Sequence, residues 1–152
     1  MRSANSMALL LALSLVAVPL YAASSDDAPT EQQAIEALEA KADHAQPRDQ
    51  CFLYAEVMHR MTELSLRQYA AGDVSKASTL LKQIQQLSHK IHLSVADNDK
   101  RLKHAEILLS RTAFRLTELL HSSDFQDRPL IKQTLADVNQ AQDAAMMQVF
   151  SK

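Results

Sequence analysis

Apolar residues recur every three or four positions from residue 30 onward, the period of helices that bury one face. The longest run lies in residues 73–122, which contain no Pro and no Gly. Its stripe reads Leu80, Ile84, Leu87, Ile91 and Val95, then Leu102, Ala105, Leu109, Thr112, Leu116 and Leu120. Upstream, helix A is predicted to open at Thr30, with Gln33 as a capping-box partner. Its stripe of Ile35, Leu38, Ala42 and Ala45 is too thin to hold a helix unaided, so it must dock. Helix B is predicted over about 47–71, with Pro47 in its first turn. Its polar side gathers Glu56, His59, Arg60, Glu63 and Arg67 and is expected to be solvated, with acid-first pairs four apart. The rest of its circumference is apolar, an arc wide enough to need more than one neighbour. Gly72 suits a C-terminal cap and Asp73 the next N-cap, which makes helices B and C an αα-hairpin. Helix D follows Asp127, Arg128 and Pro129 and shows a narrow coiled-coil seam of Ile131, Leu135, Val138, Gln142, Ala145 and Val149.

The fold class expected is all-α, with antiparallel helical hairpins around one long central helix, about 74–121. Two features favour one helix. Its apolar stripe keeps phase across Ala96, Asp97, Asn98 and Asp99, and Lys100, Arg101 and Lys103 would crowd cations into a new first turn, against the helix dipole. Asn98 would then be a polar residue in the seam. The alternative is a closed four-helix up-down bundle with a turn at 96–99, since Asp and Asn are poor helix-interior residues.

Composition narrows this picture. One Gly and four Pro in 152 residues leave little turn punctuation for sheets. A formal charge of -2 argues against a nucleic-acid binder. Arg2, the apolar run at residues 7–20 and the small residues around Ala22 and Ala23 read as a signal peptide over residues 1–23. The run is too short for a spanning helix, so no stable membrane span is expected after cleavage. Residues 24–29 read as a disordered leader and 30–152 as a single helical domain. The expected location is therefore periplasmic or extracellular. Cys51, the one cysteine, cannot close an internal disulfide and falls on an apolar face, where a buried thiol is expected.

Candidate chemistry is sparse. Glu56/His59 and Glu118/His121 are Glu-x-x-His pairs, as ferritin-like di-iron bundles use. The helical wheel sets the first pair on the charged side of helix B and the second opposite the seam of helix C, so the two should not share a metal. His89 and His92, three apart, lack an obvious third ligand. These six residues are the weak metal candidates. Met58, Met61, Met146 and Met147 raise copper or haem ligation, but Met usually fills core gaps, and no Cys-x-x-Cys-His is present. No cofactor is called for. No nucleophile elbow or phosphate loop is possible around the single glycine, so no catalytic residue is assigned.

Charge and exposure give the stronger pointer. Lys100, His104, Arg111 and Arg115 form a basic strip on the solvent side of helix C. Ile107 and Phe114, seven apart, are large apolar residues opposite its seam. These six mark the expected interaction surface, whose neighbour is helix A or a second copy of the chain. The functional expectation is an exported, non-enzymatic interaction or scaffolding module of the cell envelope, self-associating as a homodimer. The alternative is a metal- or haem-binding helical bundle.

Overall fold

The computed structural model describes residues 30–94 and 99–150. They form five helices: α1 Glu31–Asp43, α2 Pro47–Ala70, α3 Val74–Ser94, α4 Asp99–Ser122 and α5 Arg128–Phe150. The expected signal peptide and leader, the Asn98 position and nearly all of the expected turn at 96–99 lie outside the described residues.

Local chemistry sets the ends. Thr30 Oγ1 accepts from the Gln33 backbone N–H at 3.3 Å, and Gln33 Oε1 accepts from the Thr30 N–H at 2.9 Å, the reciprocal capping box. Pro47 occupies the first turn of α2. Gly72 takes a left-handed φ of 81° beyond the end of α2. Asp73 Oδ1 then accepts from the Lys76 N–H at 3.3 Å to start α3. At the other turn, Tyr69 Oη accepts from the Asp124 N–H at 2.8 Å and donates to Asp127 Oδ2 at 2.9 Å. That pair of bonds ties the α4–α5 loop to the end of α2.

The four long helices close into a bundle. α2 packs on α3 and α4, and α5 packs on the same two, so the order around the ring is α2, α3, α5, α4. Cross-contacts give the directions. Asp49–Arg101, Phe52–His104, His59–Thr112 and Glu63–Arg115 climb α2 and α4 together, which makes these two parallel neighbours. Gln142 Nε2 donates to Glu106 Oε1 at 3.1 Å between α4 and α5. Gln85 Nε2 donates to Thr134 Oγ1 at 3.0 Å between α3 and α5.

This corrects the expectation of one long central helix over 74–121. An α2 of 24 residues is about 36 Å long. It could not lie along both halves of a straight rod, yet it packs against both. The in-phase stripe misled because every bundle helix turns its apolar side inward, whatever the phase of its neighbour in sequence. One of the three cations in the first turns of α4 is offset by a neighbour. Arg101 Nε lies 3.3 Å from Asp49 Oδ1, and its guanidinium covers the Phe52 ring at 4.8 Å.

Most of the described residues of the predicted stripes form the core. Ile84, Leu87, Ile91, Leu102, Leu109, Leu116, Ile131 and Val138 are fully buried, with Met58 and Met61 among them. Buried hydroxyls do not interrupt it. Thr62, Ser88, Thr112 and Thr134 each donate to the carbonyl four residues back, satisfying themselves within their own helix. Cys51 is buried, and burial pushes its thiol up to about 11, which keeps it protonated.

Helix α1 docks as expected, with α2 as its main neighbour and Lys90 of α3 reaching across to it. Ile35 and Ala42 are buried beneath it. Tyr54 Oη donates to Asp43 Oδ1 at 2.8 Å, Lys90 Nζ donates to the same oxygen at 2.9 Å, and Arg67 pairs with Glu31. The Lys90 and Tyr54 bonds hold the Asp43 carboxyl below its usual value.

Candidate functional site

Because α2 and α4 run parallel, His59 and Glu63 on the polar side of α2 face α4, while Arg60 and Arg67 stand exposed. Arg115 clasps Glu63, Nε to Oε1 at 2.7 Å and Nη2 to Oε2 at 3.1 Å, and also pairs with Glu118. The Arg115 bonds hold Glu63 below its usual carboxylate value, and the two carboxylates hold Arg115 above its own. Of the strip proposed for docking, Arg115 is therefore engaged within the bundle. Lys100, His104 and Arg111 stand exposed.

Below this clasp a groove of about 560 Å³ runs between the two helices. Phe52, Ile107 and Leu108 supply its apolar surface; Glu56, His59, Arg60, His104 and Arg111 supply its polar rim. Arg60 bonds Glu56 at 2.8 Å within α2. His59 sits half-buried with Nδ1 3.4 Å from Thr112 Oγ1. Burial lowers its pKa, and Arg111, Arg115 and Arg60 push the same way against the opposing pull of Glu63.

On the neighbouring outer ridge of α4, Ile107 is 45% exposed and Phe114 64% exposed. Helix α1 does not cover them, since it packs on α2. One of the two neighbours expected for this pair is thereby removed.

The metal candidates are not brought together. Glu56 is held by Arg60, and His59 faces Thr112 across the α2–α4 seam. Glu118 is held by Arg115, while His121 is exposed near the end of α4 and His89 is exposed on α3. The side chain of His92 lies outside the described residues. Among the described residues, no three His, Cys, Asp or Glu side chains cluster as a metal site, and no helix is long and apolar enough to cross a membrane.

No family model, curated protein or solved structure matches this chain.

Half of the α2–α4 face was invisible from periodicity. The sequence pattern marks neither Phe52 nor Arg60 as a site residue, and marks Glu56 and His59 only as metal candidates. A signal was nevertheless present. Asp49 and Glu63 are fourteen residues apart, and so are Arg101 and Arg115. Equal spacing of acids and bases on two helices is what a parallel pair in register requires.

His59 gives this face a pH signature. A group whose folded pKa lies below its unfolded value stabilises the fold above the unfolded value, 6.5 here, and loses that contribution as pH falls through the folded one. The melting temperature should therefore drop between about pH 7.5 and pH 5.5. His59→Gln should flatten that drop; an unchanged profile would show that another group carries it. The lowered carboxyls of Asp43, Glu63 and Asp73 add their losses only at lower pH.

Proposed function

We propose that this chain is an exported, non-enzymatic interaction module of the cell envelope that self-associates through the outer ridge of α4. The observation that carries the reading is the exposure of Ile107 and Phe114, one above the other on a helix whose opposite face is already buried. Large apolar side chains stacked on one exposed stripe mark a contact surface more often than a solvated one. The charges suit a two-fold pair. An antiparallel pairing of α4 helices centred between these residues sets each Ile107 on the other copy's Phe114. It also sets each Lys103 opposite the other copy's Glu118, so the basic start of one helix meets the acid near the end of the other. Export rests on the pattern of residues 1–23 alone.

Light scattering coupled to sizing tests the reading. Protein expressed with residues 1–23 and recovered from a periplasmic extract should have the mass of a chain cleaved near Ala22 or Ala23 and elute as a dimer. Phe114→Ser should shift it to monomer while leaving the helical signal unchanged, because the position is exposed. A wild-type monomer that Phe114→Ser does not alter would end the self-association reading. The alternative of a metal- or haem-binding bundle gains no support from the dispersed candidate ligands or from Met58 and Met61, which are packed in the core.

A further inference from the structure

The groove between α2 and α4 carries more than the ridge beside it. Its uncompensated charge is positive. Glu56, its one acid, is bonded to Arg60, whereas Arg111 makes no hydrogen bond or ion pair among the described residues. Lys100 and Lys103, exposed on the same helix, also lack an acid partner among those residues. By contrast Arg101 and Arg115, on the same helix, are held by Asp49 and Glu63. Arg111 is thus a planar, always-charged donor on the rim of an apolar groove, unpaired among the described residues. Carboxylates satisfy that geometry in bidentate fashion.

The apolar surface is built rather than incidental. Phe52 is half-buried, with Arg101 over its ring at 4.8 Å and His104 beside it at 6.2 Å between centroids. Leu108 is half-buried next to it, and Ile107 forms the outer lip.

Shape selects among anionic occupants. The groove follows two parallel helices for about two turns, from His104 to Arg111, and is open along its length. Small ligands are held where most of their surface is enclosed, which an open trough does not provide. A planar anionic membrane could not reach a surface recessed between two helices. A helix laid lengthwise fits both the trough and the charge.

We infer that the α2–α4 groove docks an acidic amphipathic helix of a partner protein, with a carboxylate on Arg111 and an apolar anchor on Phe52 and Leu108. The inference deepens the interaction reading above and rests on it. On α4, His104, Leu108 and Arg111 lie on the α2 side of the ridge formed by Ile107 and Phe114. The docking surface and the self-association ridge are therefore neighbours that separate variants can distinguish.

The probe is a fluorescein-labelled synthetic amphipathic helix of Glu, Ala and Leu with one central Trp. Its comparison is the same peptide with every Glu replaced by Lys. Fluorescence anisotropy against the full mature chain should show saturable binding of the acidic peptide at about 50 mM salt, weakened at about 300 mM. The Lys peptide should not bind. Arg111→Glu, at an exposed helix position, should keep the circular dichroism spectrum, lose at least about tenfold in affinity for the acidic peptide and gain binding of the Lys peptide. Equal affinity in Arg111→Glu would overturn the inference. So would binding to phosphatidylglycerol vesicles with none to the peptide. Repeating the titration on Phe114→Ser separates the two readings. A monomer that binds the acidic peptide removes self-association and keeps the groove; a dimer indifferent to the peptide removes the groove alone.

Discussion

Truncating Leu116 to alanine is expected to cost about 3 kcal/mol of folding stability. For a domain of this size that lowers the melting temperature by about 12 °C. Leu116 is 0% exposed and lies in the inward stripe of α4 with Leu102, Leu109 and Thr112. Its side chain fills space shared by helices that are fixed by their own contacts, so little collapse into the vacated volume is available. The loss therefore combines the transfer free energy of the removed carbons with a cavity contribution. Ile107→Ala is the matched control. It removes a similar side chain from the same helix, but from a position 45% exposed, and should cost less than about 1 kcal/mol. Thermal and urea melts followed by circular dichroism, at protein concentrations low enough to suppress association, decide the matter. Unchanged urea slopes would place both effects in the folded state. Equal losses in the two variants would mean that the outer ridge is as enclosed as the core.

This contrast between inward and outward positions was legible in the sequence. Most of the described stripe residues are buried, the Thr30/Gln33 cap is present, Gly72 takes the left-handed turn and Cys51 is enclosed. All of these depend on local chemistry or on a single helix's period, which sequence spacing records directly. The arrangement of helices was not legible to the same depth. Phase continuity between the two halves of residues 73–122 is compatible with a rod and with a reversal, because each half needs only to turn its apolar side toward some partner. The wide apolar arc of α2 pointed correctly to several neighbours: α1, α3 and α4 all pack on it. Its polar side is solvated at Arg60 and Arg67 but half-buried at His59 and Glu63, a difference the sequence does not mark, since half-buried ion pairs and exposed ones have the same pattern. Glu63 and Arg115 are 52 positions apart, and no local rule links residues at that distance.

The Glu63–Arg115 clasp is consequently the sharpest test of the arrangement. Arg115→Met should cost about 2 kcal/mol, because it leaves the Glu63 carboxylate half-buried without its donors and also frees Glu118. Glu63→Gln should cost about 1 kcal/mol, and the double variant less than the sum. The coupling left by the cycle should be about 1 kcal/mol. That figure is already reduced for solvent screening, since the two side chains are 35% and 29% exposed. Its pH dependence has a definite sign. Glu63 has a folded pKa below its ordinary 4.5, so the coupling is fully present above that value and disappears as pH falls through the lowered one. With α3 and α4 set end to end, α2 would reach only α3, Glu63 and Arg115 would be far apart, and the cycle would close to zero at every pH. A coupling that is finite at neutral pH and lost in acid therefore reports α2 and α4 side by side, the arrangement on which the groove and its Arg111 depend.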